Sequence, residues 1–597
     1  MPEAIPALSA PLASSAFSDL DRHFARFIGR FAEGSAGVAA SPLRKEWLQC
    51  AAAALSQAMR HGHICLHLAH PPAEWPAGKE GESAFRWPSL SEWFEHLSPA
   101  PAVTLARQGG TVSPCTPLTL DESGRLYLSR YYAYEQAVAL ALLQRSATAG
   151  QAVGPRFPEG QEEAREAALS RPFFIISGGP GTGKTTTLVK ILTQYLTQYS
   201  DHRIALAAPT GKAAARMEEA IRNELGKEPS LLPLAGRFPR AQTLDGLLGT
   251  RPMRAQPWHH AGNPLTVDLL VVDEASMIAL PLMAKLLAAL PPTTRVLLLG
   301  DRDQLASVAP GNVLGDLAEA AMDNDSPMAG TLAILRKNYR FGNESTIYRL
   351  SELVRDGDAV PALALLEESQ REAKDDFAFQ PLPAPAELAE KLRPVILKEY
   401  RPALLTADPA AALEAFGRFR LLAAVRQGAF GVESLNRLIE ELLREAGLLP
   451  PRRGGYFAGM PLLITRNDNA LNLRNGDIGI ILPDPSEPEP ADGAPRPLWA
   501  WFPGEAETGP RRLSPSRLPE SEPAFAMTIH KSQGSEFQRV LMLLPDRDLP
   551  ILTRELIYTG LTRARTHVEL WAPQELLAKG IARRTERHSG LRRALGS

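Results

Sequence analysis

The chain has 597 residues, with 65 basic against 67 acidic side chains and a formal net charge of −2. This length predicts three or four domains. The near-neutral balance excludes a protein that binds nucleic acid through overall positive charge, so any basic track must be local or shared with a partner. Three widely spaced cysteines, no apolar run of membrane-spanning length and no signal-peptide pattern predict a cytoplasmic protein without a disulfide framework.

The first predicted segment is an N-terminal domain of helical character, residues 1–125. Apolar residues recur with helical spacing over residues 17–31, and an Ala-rich helix is predicted at 47–59. A short strand is predicted at 63–68, and the stretch 71–117, rich in Pro and Gly, predicts loops around one short helix. No catalytic combination of residues occurs in this segment, so its predicted role is packing or docking.

The second predicted segment, residues 126–345, alternates helices and strands. A helix is predicted at 126–143 and a linker at 150–160, followed by a helix at 161–169. Continuous apolar runs, typical of strands buried in a parallel sheet, occupy residues 173–177, 204–208, 269–272 and 296–299. This alternation predicts a doubly wound α/β domain.

The last predicted segment, residues 346–597, is mainly helical until about residue 450 and returns to α/β character at 524–571. Between them, short strands and turns over residues 455–519 predict a small β-barrel insertion. The arginine-rich tail from residue 583 predicts a solvated helix or a disordered end.

The strongest motif is a phosphate-binding loop, G-x-x-x-x-G-K-[ST], at residues 178–185 between an apolar strand and a helix. Its glycines let the backbone turn tightly, and the helix N-terminus adds partial positive charge. Lys184 is predicted to reach the β- and γ-phosphates of ATP, and Thr185 to ligate Mg²⁺. The residues predicted to contact the nucleotide here are Gly178, Gly179, Pro180, Gly181, Thr182, Gly183, Lys184, Thr185 and Thr186.

Carboxylates follow the apolar strand at 269–272. Beside a phosphate loop, Asp273 is predicted to hold Mg²⁺ and Glu274 to act as general base on the attacking water. In the next strand-to-loop transition, Gln304 is predicted to sense the γ-phosphate through water. An isolated acidic pair or Gly-Asp turn would be an ordinary cap or turn, so these predictions depend on the nearby phosphate loop.

Two further strands are followed by threonines that open helices, Thr210 and Thr243. Free N–H groups at a helix start, together with the hydroxyl, are suited to bind a nucleic-acid phosphate. The alternative for both threonines is a simple helix cap.

The order of these motifs resembles that of the superfamily 1 helicases over residues 161–570. The stretches similar to motifs I, Ia, II, III, IV, V and VI are residues 178–185, 208–213, 273–274, 300–305, 338–340, 528–536 and 558–565. The resemblance implies two RecA-like motor domains that bind ATP between them, with Arg340 and Arg563 reaching the γ-phosphate on closure. A guanidinium suits this role because it stabilises charge spread over phosphoryl oxygens. Gln161 corresponds to the family's adenine-reading glutamine, and its amide can pair with adenine.

Within this superfamily, the chain most resembles the RecD family, the alpha subunits of exodeoxyribonuclease V. The stretches that carry this resemblance are residues 20–24, 62–66, 175–187 and 528–537. The resemblance implies an ATP-dependent 5′–3′ DNA helicase in a heterotrimer with RecB-like and RecC-like subunits. Such a complex acts on single-stranded and double-stranded DNA ends, in double-strand break repair by recombination and in degradation of linear DNA.

The same resemblance implies an SH3-like barrel at 455–519 and docking of residues 1–125 on the RecC-like subunit. The nuclease site is expected in a partner, because no suitable cluster of Asp, Glu and Lys occurs outside the ATP-site acids. Candidate contacts to the DNA strand are Thr210, Thr243, Thr528 and His530.

Three other functions stay open at this point. The chain could be a stand-alone 5′–3′ DNA helicase, or an RNA helicase of the same superfamily. It could also be a nucleotide-gated DNA-binding or signalling protein that hydrolyses ATP slowly and does not translocate.

Overall fold

The computed structural model describes most of the chain in fifteen stretches. They are residues 12, 17–35, 42–71, 87–106, 116–147, 158, 160–227, 236–251, 253–342, 344–372, 374–451, 455–468, 470–488, 496–504 and 509–596. Most of the predicted linker 150–160 lies outside them. No helix within these stretches combines the length and apolar content needed to cross a membrane.

The N-terminal part packs three helices on a small sheet, around a core that includes Trp47 and Trp93. The helices are α1 (Asp19–Ser35), α2 (Pro42–Arg60) and α3 (Leu90–Leu97). The strands are β1 (Cys65–His67), β2 (Val103–Ala106), β3 (Leu118–Asp121) and β4 (Arg125–Leu128), in the order β1-β4-β3-β2. Only β2 and β3 run parallel.

This sheet corrects the prediction of a helical N-terminal domain with a helix starting at residue 126. Residues 125–128 form β4, and the helix begins only at Ser129. Gly124, at φ +83°, allows the tight turn between β3 and β4. Leu118, Leu120 and Leu126 are buried in the N-terminal core, and this tertiary packing overrides the local helical pattern.

The first of the two predicted motor domains is built on six parallel strands in the order β10-β5-β9-β8-β6-β7. They are β5 (Phe173–Gly178), β6 (Ile204–Ala208), β7 (Ala241–Thr243), β8 (Leu269–Val272), β9 (Arg295–Gly300) and β10 (Leu332–Leu335). The helices are α4 (Ser129–Ala147), α5 (Gln161–Ser170), α6 (Lys184–Gln198), α7 (Gly211–Lys227), α8 (Leu244–Leu248), α9 (Leu280–Ala288) and α10 (Val313–Met322). Apolar clusters cover both sheet faces, which confirms the predicted doubly wound domain.

The second motor domain has five parallel strands in the order β11-β20-β19-β12-β18. They are β11 (Phe377–Gln380), β12 (Phe419–Ala423), β18 (Ala526–Thr528), β19 (Phe537–Leu543) and β20 (Ala564–Trp571). Its helices are α11 (Thr346–Asp356), α12 (Ala359–Glu372), α13 (Leu388–Leu405), α14 (Pro409–Arg418), α15 (Val432–Glu445), α16 (Arg554–Leu561) and α17 (Gln574–Ala582). The chain therefore contains two RecA-like α/β domains.

Between α15 and β18 lies an antiparallel sheet with its own apolar core. Its strands are β13 (Pro461–Ile464), β14 (Ile478–Pro483), β15 (Leu498–Phe502), β16 (Arg511–Leu513) and β17 (Ser521–Pro523). The order is β16-β15-β14-β13-β17, and within the described part of the chain its two edge strands do not pair. The predicted strands are confirmed, whereas closure into a barrel stays a prediction.

The arginines of the C-terminal tail predicted a solvated helix or a disordered end, and this prediction is wrong. The tail leaves the second domain and returns to the first, where α18 (Leu591–Ala594) packs Leu591 and Leu595 into the core. The Arg587 guanidinium donates to the carbonyl oxygens of residues 307, 309 and 311 at 2.6–2.9 Å. Leu591 and Leu595, four residues apart, thus anchor a segment that its many arginines predicted to be exposed to solvent.

The tail also places its backbone on a buried carboxylate. The Gly590 N–H donates to Glu135 Oε1 at 2.8 Å, and burial raises the pKa of Glu135 to about 8. The folded protein therefore holds a proton that the unfolded chain loses near pH 4.5, so stability decreases as pH rises from that value towards 8. Asp316, which accepts from Ser589, has its pKa raised by burial to about 7 and contributes with the same sign.

We expect Glu135→Gln to remove part of this pH dependence, because the amide oxygen still accepts from Gly590 and no proton is lost. The free energy of unfolding should fall by roughly 1 kcal/mol per pH unit more steeply in the wild type than in the variant between pH 6 and 8. Denaturant unfolding at pH 6, 7 and 8 measures both slopes. Equal slopes would show that the pKa of Glu135 in the folded protein is not raised into this range.

Candidate functional site

The phosphate loop, residues 178–185, joins β5 to α6 in the first motor domain. Gly181 and Gly183 both have φ of +83°, a conformation that favours glycine. A Cβ on Gly181 would lie 2.5 Å from Arg340 Cβ, and one on Gly183 would overlap the amide nitrogen of Gln161. The Lys184 ammonium donates to the carbonyls of residues 178 and 179 at 2.5 and 3.1 Å, so its charge lies inside the loop. Thr185 and Thr186 follow on the first, half-buried turn of α6.

The acidic pair lies at the end of β8, where Glu274 donates its N–H to Asp273 Oδ1 at 2.8 Å. Burial and the Glu274 carboxylate raise the pKa of Asp273 to about 6, against the attraction of Lys184. Glu274 has φ of +51°, a strained conformation for a residue with a side chain. Two adjacent carboxylates at the buried end of a strand favour a bound cation.

The acidic pair and Thr185 supply too few ligands for a metal site made of protein groups alone, but they fit Mg²⁺ bound together with a nucleotide. No group of three or more His, Cys, Asp or Glu suited to a metal occurs in the described ranges. Mg²⁺ in nucleotide sites takes one or two protein ligands and completes its shell with phosphate oxygens and water. Asp273 and Thr185 are the residues that would hold it.

Gln304 lies in a loop, residues 301–305, that follows β9 and reaches the second domain. Its amide nitrogen donates to Asp301 Oδ2 at 3.1 Å, and both side chains are buried. The Arg302 N–H donates to Ser177 on β5 at 3.2 Å. Leu305, at the far end of the loop, packs into the apolar core of the second domain. The loop therefore contacts both motor domains.

Arg340 lies directly against the phosphate loop. The segment that carries it is fixed there, because the Tyr339 N–H donates to the Gly181 carbonyl at 2.8 Å. The Arg340 guanidinium pairs with Glu536 of the second domain at 2.5 Å. Burial opposes ionisation of Glu536, but Arg340, with Arg216 and Arg565, lowers its pKa to about 2. An ionised glutamate thus joins the two domains beside the phosphate loop.

Arg563 is buried at the end of α16. Its guanidinium donates to the carbonyl oxygens of Thr559 and Ser535 at 3.0 and 3.3 Å, within the second domain. Ser535 immediately precedes Glu536, so Arg563 lies close to the Arg340 pair. Its predicted reach to the γ-phosphate stays a prediction.

Gln161 lies beside the phosphate loop and donates to the Thr182 carbonyl at 3.4 Å, while its predicted contact to adenine stays a prediction. Sequence reasoning missed Tyr339 as a site residue. Its ring is 59% exposed and lies 3.8 Å from where a Cβ on Gly183 would stand. An exposed aromatic ring next to Gln161 is suited to stack on a base. The signal was present, because Tyr339 immediately precedes Arg340 in the motif.

Three of the residues predicted to contact DNA have a side-chain hydroxyl that accepts a backbone N–H group three residues further along the chain. The hydroxyls of Thr210, Thr243 and Thr528 accept backbone N–H groups at 3.2, 3.0 and 3.3 Å. Thr210 follows β6, whereas Thr243 and Thr528 are the last residues of β7 and β18. Burial lowers the pKa of His530, which is half-buried after β18. The hydroxyls of Thr210 and Thr243 therefore match the helix-cap alternative. The DNA contacts of all four residues stay predictions, and the residues lie at the carboxyl ends of parallel strands.

The insertion contacts the same region, since Arg474 donates to the Gly211 carbonyl at 2.9 Å, at the start of α7. A cavity of about 310 Å³ lies between the two motor domains. The phosphate loop, the 301–305 loop, α11 and α16 line it. Of the predicted nucleotide-site residues, Gly178, Gly179, Pro180, Thr182 and Gln304 line this cavity.

Three protein-family models match the chain. They are an AAA domain at residues 161–310, a UvrD-like helicase C-terminal domain at 523–570 and the N-terminal domain of RecBCD enzyme subunit RecD at 13–127. The AAA match contains the phosphate loop and the acidic pair, so the first motor domain is a nucleotide-binding domain.

RecBCD enzyme subunit RecD of Mycobacterium tuberculosis strain H37Rv is 38% identical over 564 residues, covering 92% of this chain and 92% of the relative. The chain belongs to the RecD family. The RecD subunit of Haemophilus influenzae is 37% identical over 494 residues, covering 74% of this chain and 73% of that protein. The ATP-dependent RecD2 DNA helicase of Deinococcus radiodurans is 30% identical over 505 residues, covering 82% of this chain and 61% of that protein.

Among solved structures, a Pif1 helicase at forked double-stranded DNA is similar to 70% of this RecD-family chain and 93% of its own. The identity is 17% and the TM-score 0.36. Pif1 from Candida albicans gives 16% and the same TM-score, covering 69% and 93% of the two chains. The two parallel sheets described above remain the basis for the fold class.

Proposed function

We propose that this RecD-family chain is an ATP-dependent 5′–3′ DNA helicase, the motor subunit of a RecBCD-like helicase and nuclease. The observation that carries the proposal is the Arg340–Glu536 pair. The two side chains lie 2.5 Å apart. The pair joins the second motor domain to Arg340, which lies against Gly181 of the phosphate loop, where we expect the γ-phosphate of ATP to bind. A competing anion there exchanges partners with Arg340, which gives nucleotide binding a direct path to domain movement.

In this proposal Lys184 and the loop backbone hold the phosphates, and Thr185 with Asp273 holds Mg²⁺. The metal, when bound, neutralises charge on the phosphate oxygens. Glu274 orients and deprotonates the attacking water, and Arg340 with Arg563 stabilises the phosphoryl charge when the domains close. Gln161 and Tyr339 hold the base.

The DNA strand would cross the carboxyl ends of the parallel strands in both domains. Helix starts after Thr210, Thr243 and Thr528 offer N–H groups to phosphates, with His530 alongside. Binding through phosphates tolerates any sequence and weakens with salt. The insertion, at 455–519, is proposed to close into an SH3-like barrel. It is proposed to lie beside this path because Arg474 contacts the start of α7.

For the domain plan we propose motor domains at 126–345 and 346–597 and an N-terminal docking domain at 1–125. Repair by recombination and degradation of linear DNA would then require RecB-like and RecC-like subunits, the nuclease site lying in a partner. Because the complex would act on chromosomal DNA ends, we propose that it is cytoplasmic.

The docking proposal rests on two apolar side chains exposed on one face of α1. Leu20 and Phe27 lie seven residues apart and are 63% and 52% exposed. We expect a Leu20→Asp/Phe27→Asp variant to lose co-purification with the partner subunits by about tenfold while keeping its own ATPase rate. Val360→Asp, on the 81% exposed Val360 of the second domain, is the control. Unchanged co-purification of the α1 variant would place docking elsewhere.

The experiment that tests the proposed function compares ATP hydrolysis by the full chain without nucleic acid, with single-stranded DNA and with RNA. Stimulation of at least about tenfold by DNA, weakening with salt, is the expected result. Stronger stimulation by RNA would favour the RNA helicase, and no stimulation would favour a slow nucleotide-gated protein. Gel filtration of the native protein with its bound partners separates a subunit from a stand-alone helicase.

A further inference from the structure

A buried tyrosine of the second motor domain contacts the first domain behind the phosphate loop. The Tyr558 hydroxyl, on α16, donates to Asp301 Oδ2 at 3.0 Å. Asp301 directly follows β9 of the first domain, and both side chains are buried. Burial, Asp301 and Asp303 raise the pKa of Tyr558 well above its ordinary value, so the phenol stays protonated and remains a donor.

The oxygen that accepts from Tyr558 also accepts from the predicted γ-phosphate sensor. Gln304 Nε2 donates to the same Asp301 Oδ2 at 3.1 Å. The other oxygen, Oδ1, accepts the Asp303 N–H at 3.0 Å, which fixes the carboxylate plane. The position of Tyr558 therefore bears on the orientation of Gln304 through a single shared atom.

The rest of the 301–305 loop is held by the second domain as well. The Leu305 N–H donates to the Thr559 hydroxyl at 3.0 Å, and the Leu305 carbonyl accepts from Gln533 at 2.7 Å. A movement of α16 cannot leave the loop unchanged, because Tyr558 and Thr559 are adjacent on that helix and contact opposite ends of the loop.

Tyr558 is also close to the phosphate loop itself. A Cβ on Gly179 would lie 2.5 Å from the Tyr558 hydroxyl and 3.8 Å from Asp301 Oδ2. The hydroxyl, the carboxylate and the glutamine amide thus form one buried group against the loop that binds the phosphates.

We propose that Tyr558 is a positioning residue that couples the placement of the second domain to the orientation of Gln304. When the domains are together, its hydroxyl and the Gln304 amide share Asp301 and the sensor is held in place. When α16 moves away, Asp301 loses one donor and Gln304 is released. This inference rests on the proposed function, since it gives the sensor of that motor its mechanical link to the second domain.

The test is steady-state ATP hydrolysis by the full chain carrying Tyr558→Phe, with and without oligodeoxythymidylate. Removal of one hydroxyl is expected to lower kcat about tenfold or more and to leave the KM for ATP within about twofold, because binding groups are untouched. In a Gln304→Ala background, Tyr558→Phe is expected to lower kcat no further. Tyr199→Phe, which removes the hydroxyl of a 37% exposed tyrosine just after α6, is the control and should behave as wild type.

A Tyr558→Phe variant with kcat within twofold of wild type would overturn the proposal. So would losses that multiply in the double variant, since Tyr558 would then act independently of Gln304. If Tyr558→Phe does not fold, Asp301→Asn, which keeps the side-chain shape but weakens both accepted bonds, must show the same split between kcat and KM. A wild-type chain without DNA stimulation would refute the proposed function, while the rates without DNA would still decide the role of Tyr558.

Discussion

Lys184→Ala is expected to abolish ATP hydrolysis, with the DNA-stimulated kcat falling on the order of 10³-fold. The ammonium is the only side-chain cation seen inside the phosphate loop of the described structure, held by the carbonyls of Gly178 and Gly179. Without it, the β- and γ-phosphates lose their point charge and the developing negative charge has no partner within the loop. The measurement is kcat with saturating single-stranded DNA.

The control for this variant is Lys190→Ala on the same helix. Lys190 pairs with Glu162 on the surface at 2.8 Å, far from the phosphates along α6. Its loss should leave hydrolysis unchanged and cost at most about 1 kcal/mol in stability. Near-normal turnover by Lys184→Ala, with a fold confirmed by circular dichroism, would refute the assignment of the nucleotide site.

Arg340→Ala is expected to lower kcat by about 10²–10³-fold while nucleotide binding persists. An arginine that reaches the phosphoryl group on closure contributes mainly to the transition state, so the loss should appear in kcat rather than in the affinity for ATP. In the present arrangement the Arg340 side chain pairs with Glu536. It also lies close to the phosphate loop, since a Cβ added to Gly181 would lie only 2.5 Å from the Arg340 Cβ. Fluorescent-nucleotide binding and steady-state kinetics measure the two effects separately.

Arg565→Ala is the matched control for Arg340. Arg565 also pairs with Glu536, at 3.0 Å, but its side chain is half exposed on the second domain. If Arg340 acts only by neutralising Glu536, the two variants should have similar rates. A loss confined to Arg340→Ala indicates a direct role in hydrolysis, and a loss of ATP binding with normal chemistry would refute that role.

The phosphate loop was predictable because its signal is local. Glycines at fixed spacing, a preceding apolar strand and a following helix are all contained in the stretch that forms the site, and Gly181 and Gly183 adopt the φ values that the pattern requires. The parallel strands were predictable for the same reason, since β5, β8 and β9 are continuous apolar runs.

The contacts between domains could not be predicted from the sequence. The Tyr558–Asp301 bond joins residues 257 positions apart, and the Arg340–Glu536 pair joins residues 196 apart. A pattern search identifies both as members of motifs but does not give the partner of either side chain. The hydroxyl of Thr210 accepts the Ala213 N–H, which matches the local helix-cap alternative, and its contact to DNA stays a prediction.

The tail and the N-terminal sheet were predicted wrongly because tertiary packing decided them. Leu591 and Leu595 look unimportant among arginines, yet the first domain offers them a core and a buried acceptor, Glu135, for the adjacent backbone. Strands β3 and β4 form because the turn at Gly124 brings their leucines onto α2 and α3.

Strand displacement on tailed duplexes tests most directly the claim that these two domains turn ATP hydrolysis into directed travel along DNA. The substrates are one duplex with a 5′ single-stranded tail, the same duplex with a 3′ tail and a blunt duplex, each with the full chain and ATP. Displacement of the 5′-tailed duplex alone, lost in Lys184→Ala, is the result expected from the proposed function. Displacement of the 3′-tailed duplex instead, or DNA-stimulated hydrolysis without displacement of any of the three, would contradict it.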